Sequence, residues 1–113
     1  MHELAITQGV VEAVTERTGD APVVSVRLRV GRLAGVVPDA MRFCFELVTA
    51  GTPLEGAALE FDEPEGRGRC RACGADVPLA DLILLCPCGS ADVEVVSGRE
   101  LAVASVVLAG GDR

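Results

Sequence analysis

Residues 70–89 read Cys70-Arg71-Ala72-Cys73-Gly74, then Ala75 to Leu85, then Cys86-Pro87-Cys88-Gly89. Four of the five cysteines lie in this stretch. The first pair is spaced C-x-x-C, the second C-x-C, and twelve residues separate them. Two close thiol pairs joined by a short excursion can bring four sulfurs to one point. That is the donor set of a tetrahedral structural Zn²⁺ site. A glycine follows each pair, and glycine supplies the positive φ that lets backbone wrap under a metal. The stretch reads as a zinc-ribbon-like module with one departure. A ribbon usually repeats C-x-x-C, whereas only Pro87 separates the second pair here.

Other readings of the thiols exist. A C-x-x-C pair can be a redox dithiol, but that chemistry has no need of a second pair. The chain has no lysine, and its single histidine, His2, is far away in sequence, so Arg71 is the one cation placed to activate Cys70 or Cys73. Cys44, the fifth cysteine, falls on the apolar stripe of an expected helix and reads as a small buried hydrophobe. A zinc-ribbon interaction or regulatory module, needing the cysteines but not His2, also fits the pattern.

Working outward, 113 residues make one domain, or one domain with a small insert. Half the residues are hydrophobic but only three are aromatic, all Phe, so the core must be built from Val, Leu, Ala and Ile. A chain this short buries a limited share of its surface, and a structural metal is a common supplement. The net charge of −7 argues against nucleic acid, which needs a basic patch. Arg67, Arg69 and Arg71 beside the cysteines read as solvated loop charges. The chain opens Met1-His2-Glu3-Leu4, with no basic and then apolar leader, and no apolar run approaches a membrane span. The expected location is the cytosol, where paired cysteines read as metal ligands or redox thiols rather than disulfides.

Residues 3–18 are expected to form a helix, with Leu4, Thr7, Val11, Val14 and Thr18 at helical spacing. Gly19-Asp20 ends it. Residues 23–30 alternate Val24, Val26, Leu28 and Val30 with Ser25, Arg27 and Arg29, a strand covered on one side. A second helix should start at Pro38, with Met41, Cys44, Phe45 and Val48 as its stripe. Residues 57–63 alternate again, and 64–68 read as a polar linker into Cys70. Residues 92–97 and 100–108 read as strands, with Ser97-Gly98 as a hairpin turn between them. The expected fold class is α+β: a small mixed or antiparallel sheet with two helices on one face, plus the inserted zinc-ribbon-like module. Residues 1–65 with 91–113 form the α/β part, and residues 66–90 form the module inserted between strands.

No catalytic site can be assembled. There is no histidine near a cysteine, no Gly-rich phosphate loop and no Ser-His-Asp set, so the chain does not read as an enzyme. The N-terminus has its own possibility. The Met1 amine, the His2 backbone nitrogen and imidazole, and the Glu3 carboxylate together suit Ni²⁺ or Cu²⁺. The bland alternative is a solvated terminal histidine.

Met1-His2-Glu3-Leu4 opening an amphipathic helix, Cys70-x-x-Cys73-Gly74, Cys86-Pro87-Cys88-Gly89-Ser90, and Gly98-Arg99-Glu100-Leu101 before a last strand occur in that order. In this the chain resembles the HypA/HybF family over nearly its whole length. The resemblance implies a nickel metallochaperone of [NiFe]-hydrogenase maturation. His2 would be the essential nickel ligand, supported by the Met1 amine, the His2 amide nitrogen and Glu3. Cys70, Cys73, Cys86 and Cys88 would bind structural Zn²⁺. The implied partners are the hydrogenase large subunit and the GTPase HypB, and some relatives serve urease. Self-association is left open. The family's second pair usually reads Cys-Pro-x-Cys-Gly, so Cys86-Pro87-Cys88 must turn its sulfurs inward with a different backbone.

Overall fold

A computed structural model describes residues 2–110. The elements, in chain order, are α1 (Glu3–Thr18), β1 (Val23–Val30), α2 (Pro38–Thr49), β2 (Ala58–Asp62), β3 (Gly66–Cys70), β4 (Asp76–Leu79), β5 (Val93–Ser97) and β6 (Leu101–Leu108). The class is the expected α+β one, but the strands form two three-stranded sheets, ordered β2-β1-β6 and β4-β3-β5. Backbone packing divides the chain into two compact units. One takes the chain up to Leu28, Val36–Phe61 and the chain from Val103; the other takes Arg29–Gly35 and Asp62–Ala102.

In the first unit α1 packs along α2. The buried face of α1 is Glu3, Thr7, Val11 and Val14. Thr7 is fully buried because its hydroxyl donates to the Glu3 carbonyl at 2.6 Å. Thr15 and Thr18 do the same toward the Val11 and Val14 carbonyls. At Thr7 this i−4 bond satisfies a hydroxyl that would otherwise be costly to bury. Gly19 closes the helix, its N–H donating to the Thr15 carbonyl. Pro38 opens α2 and Met41, Phe45 and Thr49 form its buried stripe. Val26 and Leu28 of β1, with Leu54 and Leu59, complete this core. On the wet face of the sheet, Arg27 pairs with Glu60 at 3.0 Å. Arg42 of α2 lies 4.8 Å over the Phe61 ring. The Ala109 N–H bonds the Pro22 carbonyl and the Gly31 N–H bonds the Glu100 carbonyl, so β6 runs antiparallel to β1.

The second unit departs from the sequence reading. The stretch read as a polar linker forms most of β3, the central strand of the second sheet. β3 pairs antiparallel with β4, Gly66 opposite Leu79 and Arg69 opposite Asp76. On its other side it pairs with β5, Cys70 opposite Val93, with an irregularity between Arg67 and Gly68. β5 and β6 therefore belong to different sheets, and the expected hairpin at Ser97-Gly98 does not form. β5 pairs with β3 instead, and β6 stands beside β1. Loop 29–35 joins this unit through Leu33, whose N–H donates to the Gly98 carbonyl at 2.7 Å and whose side chain enters the core. That core is Leu33, Cys70, Val77, Leu79, Cys86 and Val93.

Candidate metal centre

Two knuckles deliver the four thiols. The first lies where β3 ends. The Cys70 N–H bonds the Ala75 carbonyl at 3.0 Å and the Gly74 N–H bonds the Cys70 carbonyl at 2.8 Å, folding Ala72 and Cys73 back over the strand end. Gly74 takes φ +81°, a conformation that side chains rarely adopt. The second knuckle uses the shortened pair. The Gly89 N–H bonds the Cys86 carbonyl at 2.8 Å, and the Cys86 N–H bonds the Ser90 carbonyl at 2.9 Å. Gly89 takes φ +96°. The Cys88 N–H also points at Cys86 Sγ, 3.5 Å away. One intervening residue therefore suffices, because the reversal is completed by Gly89 and Ser90 after the second cysteine.

The four Sγ atoms lie within 4.8 Å of one another. Cys70 Sγ is 3.7 Å from Cys88 Sγ, and Cys73 Sγ is 3.7 Å from Cys86 Sγ. A disulfide needs sulfurs about 2.05 Å apart, so these are free thiols. Zn–S bonds of about 2.3 Å put tetrahedral sulfurs about 3.8 Å apart, close to the two short separations. The cluster fits a zinc site in donor chemistry and in spacing. Cys70 and Cys86 are buried, and Cys73 and Cys88 face solvent.

The thiols perturb one another. Hydrogen bonding from the Cys73 N–H is the main cause that holds Cys70 down to about 6, against burial and with help from Ala72. At Cys86 the Cys88 N–H pulls downward, but burial and the neighbouring thiols outweigh it and push the group up to about 12. Like charges crowded at one point cannot all ionise without a cation between them. A divalent ion removes that conflict.

The arginines beside the cysteines also have a place that sequence did not reveal. Arg71 donates to Asp92 at 2.8 Å and lies 4.0 Å from Glu94. Asp92, more than any other group, pushes the Arg71 guanidinium further up. The Arg71 N–H also bonds the Asp92 carbonyl, so Arg71 ties the first knuckle to the start of β5. Alternating acids at Asp92 and Glu94 on a strand were the available signal.

The N-terminal candidates lie at the start of α1. His2 is exposed at the N-cap position, and its carbonyl accepts the Ile6 N–H at 3.0 Å. Glu3 is buried, and its Oε2 accepts the Val37 N–H at 3.2 Å. Met1 lies outside the described residues. Among the described residues, the four cysteines are the one group of three or more His, Cys, Asp or Glu donors gathered closely enough to hold an ion.

A family model described as hydrogenase/urease nickel incorporation, metallochaperone, hypA, matches residues 1–108. The chain belongs to the HypA family. A hydrogenase maturation factor HypA of Nostoc punctiforme is 45% identical, covering 94% of each chain. That of Chlorobaculum tepidum is 46% identical over 96% of this chain and 99% of its own. That of Streptomyces avermitilis is 48% identical over 94% of this chain and 86% of its own. The solution structure of the Ni metallochaperone HypA from Helicobacter pylori shares the fold, with a TM-score of 0.65 at 18% identity and coverage of 96% and 97%. The chain is thus a nickel metallochaperone of hydrogenase maturation, not an enzyme, and it works with that maturation machinery. No helix among the described residues is long and apolar enough to cross a membrane.

Proposed function

We propose that Ni²⁺, the cargo, is held at the head of α1 by the His2 imidazole and backbone nitrogen and the Met1 amine, with Glu3 in support. Cys70, Cys73, Cys86 and Cys88 would hold zinc. The observation that carries this division is the contrast in exposure. His2 stands open to solvent, whereas two of the four thiols are buried in a core. Cargo must exchange, so open nitrogen donors suit it. A closed four-thiolate site keeps its ion and stabilises the fold around it. Glu3 supports the nickel end by anchoring the helix start through Val37 and by bringing negative charge to the N-terminal end of the α1 dipole.

The nickel part would then be the unit that carries α1, and the zinc part the unit built on β3, β4 and β5. The acceptor of the nickel would be the hydrogenase large subunit, the GTPase HypB would assist the transfer, and the setting would be the cytoplasm. The family's role in hydrogenase maturation supports these assignments.

Nickel and zinc titration of the untagged chain beside His2→Ala tests the reading. Wild type should bind both metals. His2→Ala should lose nickel binding and keep one zinc per chain and an unchanged circular dichroism spectrum. Unchanged nickel binding would remove His2 from the site, and a zinc content near zero in reduced protein would remove the cysteines.

A further inference from the structure

The strand β6, Leu101-Ala-Val-Ala-Ser-Val-Val-Leu108, is apolar but for Ser105, yet none of its residues is buried. It stands at the edge of the β2-β1-β6 sheet. Leu101 is 44% and Val107 49% exposed. An edge strand presents unpaired N–H and C=O groups, and proteins usually blunt such edges with lysine, proline or inward charge. β6 carries no charged residue and no proline. Beside it runs a groove of about 330 Å³ between α1 and the strand, lined by Ala13, Val14, Arg17, Thr18 and residues 103–106. Among the described residues Arg17 is the only charged one lining the groove, although the chain as a whole carries −7. Among the described residues Arg17 makes no ion pair.

We propose that the free edge of β6, with the groove between it and α1, takes an extended carboxylate-bearing segment of another protein as a fourth strand. The backbone of β6 defines the shape of the occupant, since only an extended chain can pair with the edge group by group. Alternate apolar side chains of that segment would lie in the groove. The Arg17 guanidinium selects a carboxylate on it. The same charge argument disfavours a second copy of β6, which has no carboxylate within it and would bring a second chain of −7. The proposal goes beyond the metal sites and is read without nickel.

The test uses the full reduced, zinc-loaded chain and blocked nine-residue peptides that alternate valine and threonine around one central residue. The peptide with a central glutamate should bind and slow amide exchange along residues 101–108. A central lysine should weaken binding roughly five-fold. Arg17→Glu, an exposed position, should reverse that preference. N-methylation of alternate peptide residues should abolish binding, because it removes strand pairing. The proposal is overturned if the glutamate peptide leaves residues 101–108 unprotected, if binding ignores the charge, or if protection grows with chain concentration alone. The last outcome would make the occupant a second copy.

Discussion

Gly68 sits at the centre of β3, where the neighbouring strand leaves no room for a side chain. A Cβ added there would lie 2.6 Å from Val93 Cγ1 and 3.0 Å from the Glu94 carbonyl oxygen. Val93 is itself buried, so it cannot swing aside. Gly68→Ala is therefore an overpacking change, expected to cost about 1–3 kcal/mol. Denaturant unfolding checks the cost, and zinc retention against a chelator checks its location, since Val93 packs with Cys70 and Cys86. An unchanged midpoint with unchanged zinc retention would show that the two strands separate more easily than this packing implies. The same glycine explains why β3 was not legible in the sequence. Gly66-Arg67-Gly68-Arg69 alternates in burial as a strand should, but its inward positions are glycine, so no hydrophobic alternation announces it. Leu4, expected on the stripe of α1, lies off it for a different reason. Glu3 and Leu4 flank the Thr7-Val11-Val14 stripe about equally in helical angle. Glu3 is the one buried, with the Val37 N–H bonded to its carboxylate, and Leu4 stays 47% exposed.

At the scale of elements, α2 shows how far periodicity carries. Pro38 at its start and Met41 and Phe45 on its inner face follow from spacing alone, and both side chains are buried. Cys44 and Val48, on the edge of the same stripe, are only partly covered. Phe43 and Leu47, one turn apart, are 64% and 61% exposed. The helix thus contributes through one face, and substitution should report it. Phe45→Ala is expected to cost about 3–5 kcal/mol. Leu47→Ala should stay within about 0.5 kcal/mol. Thermal or denaturant unfolding of the two variants checks the contrast, and a comparable loss from Leu47→Ala would mean that the outer face is packed in solution. Helices α1 and α2 and strands β1, β2, β5 and β6 were legible because each carries its own period. Which strands pair was not, since a Ser-Gly reversal looks the same whether its flanking strands meet each other or go to separate sheets. The four thiols were legible from spacing, but the turn that lets C-x-C replace C-x-x-C depends on Gly89 and Ser90, which lie outside the pair.

For the whole molecule, the two units rest on different foundations. The first has two helices and a sheet, with Met41, Leu28, Leu54 and Val26 fully enclosed. The second has three strands of five, four and five residues over a core of six side chains. Two of those six are Cys70 and Cys86. The remaining four aliphatic side chains supply about 1.5–3 kcal/mol each when buried. Ordering each residue costs on the order of 1–2 kcal/mol of backbone entropy, so this sheet falls short on burial alone. Structural zinc contributes roughly 10–16 kcal/mol in small zinc modules, at least as much as those four side chains together. Removing zinc with a strong chelator under reducing conditions should therefore melt residues 62–102 and leave the helical unit folded. The expected record is loss of dispersed amide signals from β3, β4 and β5 and new protease cleavage between residues 70 and 90. The helical circular dichroism signal and the α1 and α2 amides should persist. Restoring one equivalent of zinc should return the lost signals. Loss of the whole spectrum in one step would show that the helical unit needs the zinc unit, and no change at all would show that the six-residue core holds the second sheet without an ion.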